Sequence, residues 1–160
     1  MKYSVLLDTS FFIRLLNDQD PLHKNAVGYY KYFLEKEITL KVSTISIAEY
    51  CVMGKLEDLP LRNLQILPLN LKDAERTGEF ANVIFRQNKI EIEKLSPRPI
   101  IPNDSKLFAQ ADLDKSIQYF VTSDARSKKT LNLLKKEIQP KFSIISIGTP
   151  HNEEFGVLDL

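Results

Sequence analysis

The stretch YSVLLD, residues 3–8, reads as a strand that ends on an acid. Its apolar run is short and continuous rather than alternating. That pattern suits a strand covered on both faces, as in a parallel sheet. A second stretch of the same form, QYFVTSD at residues 118–124, gives a strand over 118–122 that ends at Asp124. Strands alternate with helices between and around them. Helices are predicted at residues 11–16, 22–36, 47–53, 73–87, 104–113 and 127–138. Further strands are predicted at 38–44, 64–69 and 142–147. In the strand at 38–44, Ile38, Leu40 and Val42 alternate with polar residues, which predicts one wetter face. Pro68 confines the strand at 64–69 to an edge or an end. Residues 91–102 carry Pro97, Pro99 and Pro102 and read as a loop. The alternation predicts a three-layer α/β fold with a mainly parallel sheet and right-handed crossovers.

Composition narrows the function. The chain has 160 residues, 43% of them apolar, and a net charge of +1, values suited to one globular domain. A near-zero net charge leaves only local patches to argue for nucleic acid. One cysteine forbids an internal disulfide and is too few for a thiolate zinc site. The five glycines are too widely spaced to write either GxGxxG or a Walker loop. The longest uncharged run, residues 142–152, falls well short of the ~18 needed to span a bilayer. Asp8 interrupts the apolar N-terminus too early for a signal peptide. No membrane association and a reducing, cytoplasmic location are therefore expected.

In open parallel sheets, ligands bind beyond the carboxyl ends of the strands, near the point where strand order reverses. Four acids map to that end. Asp8 follows the first strand, Glu49 lies past the second, Asp104 opens a helix, and Asp124 ends the fourth strand. Each has a plainer reading. Ser46 to Glu49 spells a capping box. Asp104 and Asp124 suit helix entries. Asp8 suits an Asx turn. Four such residues from four separate segments are harder to explain by capping alone.

These residues also carry a resemblance. LLDTSFFIRLL, STISIAEY and IPNDSKLFAQADLDKSIQYFVTSD resemble the PIN-domain family, in particular its VapC-like toxin ribonucleases. The similarity covers most of the chain. It implies a PIN-like, Rossmann-like fold with strand order 3-2-1-4-5, a single domain over residues 1–150 and a short acidic tail over 151–160. It implies that Asp8, Glu49, Asp104 and Asp124 are the catalytic and metal-binding acids of an endoribonuclease, the toxin of a toxin–antitoxin pair. Family members often carry Arg before the fourth acid, where this chain has Ser123. An antitoxin partner and a homodimer follow from the resemblance only. The competing reading is a catalytically idle PIN-like module that binds RNA or protein. Phosphotransfer of the haloacid-dehalogenase type is rejected, because it needs a second Asp where Ser10 stands.

Four close carboxylates raise one another's pKa unless a cation neutralises them. An oxygen-only donor set favours a hard ion, Mg²⁺ or Mn²⁺, with one or two bound. Asp8 and Asp104 are the first candidates for direct ligands, with Glu49 and Asp124 acting directly or through water. Thr9 and Thr122 are candidates for orienting the carboxylates. From Arg126 to Lys141, six basic residues face Glu137 alone, and Arg126, Lys128 and Lys129 are candidate RNA-phosphate contacts. The plainer reading of that run is a solvated helix face. Cys51 is expected to be a buried structural thiol, and Asp112 and Asp114 to face solvent.

Overall fold

The computed structural model describes residues 2–91 and 101–157. In chain order the elements are β1 (Ser4–Leu7), α1 (Thr9–Leu15), α2 (His23–Glu35), β2 (Thr39–Ser43), α3 (Thr44–Tyr50), β3 (Leu64–Leu67) and α4 (Leu71–Lys89). They continue with α5 (Ile101–Leu113), β4 (Ile117–Thr122), α6 (Ala125–Leu134), β5 (Ser143–Ser146) and α7 (His151–Glu154). The sheet is parallel throughout, in the order β3-β2-β1-β4-β5. Strand order reverses at β1, so the carboxyl ends of β1 and β4 flank the crevice where such sheets bind ligands.

The continuous apolar run of β1 is explained by two cores. Val5 and Leu7 point into one, with Phe11, Phe12, Tyr29 and Phe33. Leu6 points into the other, with Phe80, Ile84, Phe108 and Leu134. Each such large side chain, fully buried, contributes roughly 1.5–3 kcal/mol. In β4 the pairing slips by one residue, from Ser4–Ile117 to Val5–Tyr119. The bulge at Gln118 leaves Ile117 and Phe120 on one core and Val121 on the other, and it fixes which way Thr122 and Asp124 leave the sheet.

Several local expectations are corrected. The polar side of β2 is exposed at Thr39 alone, with Lys41 and Ser43 buried. Lys41 is 8% exposed and its Nζ donates to Asp114 Oδ2 at 2.6 Å and Ser116 Oγ at 3.0 Å. Asp114 is thereby paired rather than free in solvent. Asp112 is buried and accepts from Arg76 and from the Lys141 amide. α4 begins earlier than expected, because Asn70 and Asp73 exchange side-chain-to-amide bonds, each 2.9 Å, in a capping box. Its buried face runs through Asp73, Phe80, Ile84 and Asn88, and leaves Phe85 exposed. Cys51 is exposed. The expected loop over 91–102 falls largely outside the described residues, and α5 takes in its last two positions.

The C-terminal decapeptide contains α7, and Phe155 beyond it stacks on Tyr32 at 4.5 Å. A Cβ at Gly28 would lie 2.6 Å from His151 Nδ1, so any side chain at residue 28 would force the His151 ring to shift. No helix among the described residues is long and apolar enough to cross a membrane.

Candidate active site

Asp8 ends β1 and caps α1. Its Oδ1 accepts the Thr9 amide at 2.9 Å. Its Oδ2 accepts the Ser10 hydroxyl at 2.8 Å and the Thr122 hydroxyl at 2.9 Å. Those hydroxyls are themselves fixed. Ser10 Oγ accepts the Ser123 amide at 2.9 Å, and Thr122 Oγ1 accepts the Asp124 amide at 3.0 Å. Asp124 then caps α6, accepting the Arg126 amide at 2.9 Å. The ends of β1 and β4 are thus knitted together around one carboxylate.

The structure divides the two candidate orienting residues. Thr122 holds Asp8 directly. The Thr9 hydroxyl instead donates to the Ser46 carbonyl at 3.2 Å, and only the Thr9 amide serves Asp8. Ser10 takes the role expected of Thr9. The sequence offers for it no more than a hydroxyl placed two residues after Asp8.

Glu49 also departs from its plainer reading. α3 is capped by Ser43, whose Oγ accepts the Ile45 amide at 3.1 Å. The helix therefore starts at Thr44, and Glu49 falls in its last turn rather than its first. The Ser46 to Glu49 capping box does not form, and Ser46 Oγ is buried without a partner. Glu49 is left with no capping duty, and it borders the cleft. Partial burial and the charge of Asp8 raise its pKa, while Lys106 lowers it. Lys106 was passed over in the sequence. It stands two residues beyond Asp104, on the helix that α3 packs against.

Asp104 sits in the first turn of α5, and only 8% of it is exposed. Its Oδ2 has no hydrogen-bond partner. Burial pushes its pKa up to about 7, and the charges of Asp8 and Asp124 push the same way, with Glu49 adding a smaller effect. A hydrogen bond with Thr130 works in the opposite direction. Asp8 is raised as well, by burial above all, although three hydrogen bonds favour its charged form.

All four acids line one cleft of about 210 Å³, together with Ser10, Asn103, Ile13 and Leu107. The donor set is oxygen only, and an unpartnered buried carboxylate oxygen among mutually repelling acids fits a hard divalent cation. Among the described residues, no three His, Cys, Asp or Glu side chains close around a single point to hold an ion unaided. A hard ion such as Mg²⁺ usually keeps several waters and binds one or two carboxylates. The four acids of the cleft could hold it, and of these Asp104 has a buried oxygen with no other partner. When bound, such an ion polarises a phosphoryl oxygen and activates water.

The basic run divides too. Arg126, Lys128 and Lys129 are exposed on α6 and make no ion pair among the described residues. Lys136 pairs with Glu91, and Glu137 pairs with Arg86 at 2.8 Å, so the far end of the run is engaged elsewhere.

This three-layer α/β topology, with its parallel sheet in the order 3-2-1-4-5, is of the PIN-like class. Its solved neighbours are VapC toxins and VapBC complexes. A VapC toxin of Mycobacterium tuberculosis, described as cleaving the sarcin–ricin loop, aligns at TM-score 0.54 and 19% identity, over 79% of this chain and 94% of that one. A DNA-bound VapBC from Salmonella typhimurium aligns at TM-score 0.57 and 17% identity, over 91% of this chain and 98% of that one. VapBC from Rickettsia felis, bound to a promoter DNA fragment, aligns at TM-score 0.57 and 19% identity, over 89% and 97%. No protein-family model and no curated protein matches the sequence.

Proposed function

We propose that this protein is a divalent-metal-dependent endoribonuclease, the toxin of a toxin–antitoxin pair. The observation that carries the reading is the gathering of Asp8, Glu49, Asp104 and Asp124, from four separate segments, into one cleft. Capping accounts for Asp8 and Asp124, but not for Glu49 or Asp104. A buried acid with one unsatisfied oxygen costs stability, and a bound cation turns that cost into affinity. Asp8 and Asp104 would hold Mg²⁺ or Mn²⁺, with Glu49 and Asp124 acting directly or through bound water, and the substrate phosphodiester would be cleaved at that cleft. Likeness in fold to proteins described as VapC toxins and VapBC complexes supports an antitoxin partner. A homodimer and a cytoplasmic location belong to the same reading, as does a single domain over residues 1–150.

The test is RNA cleavage by the purified protein with Mg²⁺ or Mn²⁺, with chelator, and in Asp104→Asn. Cleavage that needs the ion and vanishes in the variant supports the reading. A parallel melting series against Mn²⁺ checks the site without reference to activity. At 100 times its dissociation constant an ion that binds only the folded state adds about 2.7 kcal/mol. Equal Mn²⁺ shifts in wild type and Asp104→Asn would remove Asp104 from the ligand set. The second reading is an idle RNA- or protein-binding module, and it is favoured by the absence of a closed three-acid cage among the described residues. RNA binding without ion-dependent cleavage would select it.

A further inference from the structure

We infer that Arg14 is a phosphate-binding residue, one that anchors the RNA backbone beside the cleft. This rests on the nuclease reading and extends it to a residue of α1 outside the acid cluster. Ser10 and Arg14 are four residues apart in α1 and so share a face. Both address Ser123, the residue between Thr122 and Asp124. Ser10 Oγ accepts the Ser123 amide at 2.9 Å, and Arg14 Nε lies 3.4 Å from Ser123 Oγ. The guanidinium is held from its other side by Asp20, whose Oδ2 accepts from Nη1 at 2.7 Å. Asp20 is itself pinned, since its Oδ1 accepts the Leu22 amide at 2.8 Å. Preceding Arg14, Ile13 lines the cleft.

The result is a cation locked at two points at the edge of the acid site. A guanidinium has five N–H donors in a planar fork. Two are engaged here, by Asp20 and Ser123, and no other partner for the guanidinium is found among the described residues, His23 Nδ1 lying 3.1 Å from the Arg14 backbone carbonyl instead. The arginine side chain is about one-third exposed, while Asp20 is at 10%. Solvent therefore reaches the guanidinium while its brace stays covered. A fork with spare donors and a fixed direction suits bidentate contact with a phosphate. Arg126 opens α6 on the other side of Asp124, so the end of β4 is bracketed by cations. A polyanion reaching the end of β4 would meet Arg14 at Ser123 and Arg126 just past Asp124.

A purely structural role would make Arg14 a brace for the turn between α1 and α2. The two roles separate in experiment. A labelled single-stranded RNA oligonucleotide is titrated in Ca²⁺ across a salt series, with wild type, Arg14→Gln, Arg14→Lys and Asp20→Asn. Cleavage kinetics and melting temperature are measured on the same proteins. Losing one phosphate contact flattens the plot of log affinity against log salt by about 0.7 for single strands. Arg14→Gln is expected to weaken RNA binding about tenfold, to flatten that slope and to raise KM more than it lowers kcat. Arg14→Lys is expected to keep the slope but bind less tightly, because the charge remains and the fork is lost. Asp20→Asn removes the brace and keeps the cation, so it should lower the melting temperature while leaving the slope near wild type. Wild-type slope and KM in Arg14→Gln would overturn the inference, as would Asp20→Asn matching Arg14→Gln in both. If wild type neither binds nor cleaves RNA, the nuclease reading fails first, and the inference falls with it.

Discussion

Thr122 Oγ1 stands 2.9 Å from Asp8 Oδ2, and this one contact joins the carboxyl ends of two strands 114 residues apart in sequence. The hydroxyl donates to the acid and accepts the Asp124 amide at 3.0 Å, so it sets the positions of two of the four acids at once. Its place follows from the parallel pairing of Leu7 with Val121, which brings the next residues of both strands to one level.

Thr122→Val keeps the shape and removes both hydrogen bonds. The Asp124 amide then loses its acceptor, and Asp8 loses one of three donors. The expected loss is about 1–3 kcal/mol of stability, read from urea unfolding, with at least a tenfold drop in RNA cleavage. Thr122→Ser should restore both. A valine variant that cleaves at the wild-type rate would show that Ser10 and the Thr9 amide hold Asp8 without help.

Asp104 predicts an unusual pH dependence in chelated protein. Burial and the neighbouring acids push its folded pKa up to about 7, well above the ordinary aspartate value of 3.8. The neutral acid is therefore the form the fold favours. Its stabilising effect is complete below about pH 4 and is lost as pH rises through 7. Asp104→Asn cannot ionise, so above pH 7 it should be more stable than the wild type, by on the order of 4 kcal/mol. The difference should close towards pH 4. Denaturant unfolding of the two proteins from pH 4 to pH 8 measures it. Parallel curves would mean that Asp104 ionises as freely in the fold as in the unfolded chain.

Much of this fold was legible because its strongest signals are local. The unbroken apolar run of β1 announces a strand buried on both faces, and the two cores around Leu6 and Leu7 bear that out. The strand order was not local information and came with the resemblance. What misled was the capping chemistry. Ser43 and Ser46 are both able to cap α3, and the sequence does not say which serine the helix starts from. The structure chooses Ser43, and that choice moves Glu49 from the first turn to the last. Lys41 was misread for a different reason. Alternation predicts which side of a strand a residue faces, but not that Asp114 and Ser116 wait on that side to bury a lysine. Of the site, all four acids were visible from their positions at strand and helix ends. The contacts of Ser10, Lys106 and Arg14 were not, because they depend on what stands opposite them in space.

Because Glu49 caps nothing, Glu49→Gln is a clean variant. Its helix should be as stable as before, so melting temperature in chelator should stay within about 1–2 °C of wild type, or rise slightly as repulsion from Asp8 is relieved. Cleavage should fall at least tenfold if the carboxylate serves the reaction. Circular dichroism melting and initial cleavage rates separate the two effects. A gain in stability with full activity would make Glu49 a bystander and leave a three-acid site.

The lysines of α6 give the last test, since they report whether RNA follows the side of the cleft that Asp124 borders. Lys128 and Lys129 are exposed and unpaired among the described residues, one turn beyond the Asp124 cap. They are adjacent in a helix, so they point about 100° apart, and a single backbone need not touch both. If each meets a phosphate, the double variant Lys128→Ala with Lys129→Ala should lower the salt slope by about 1.4. If only one does, the fall should be about 0.7. Phosphate contacts carry no sequence information, so the loss of affinity should be similar across RNA sequences. Binding in Ca²⁺ over a salt series, repeated with the single variants, gives the number of contacts directly. An unchanged slope would assign these lysines to the solvated face of α6 and route the RNA past α1 instead.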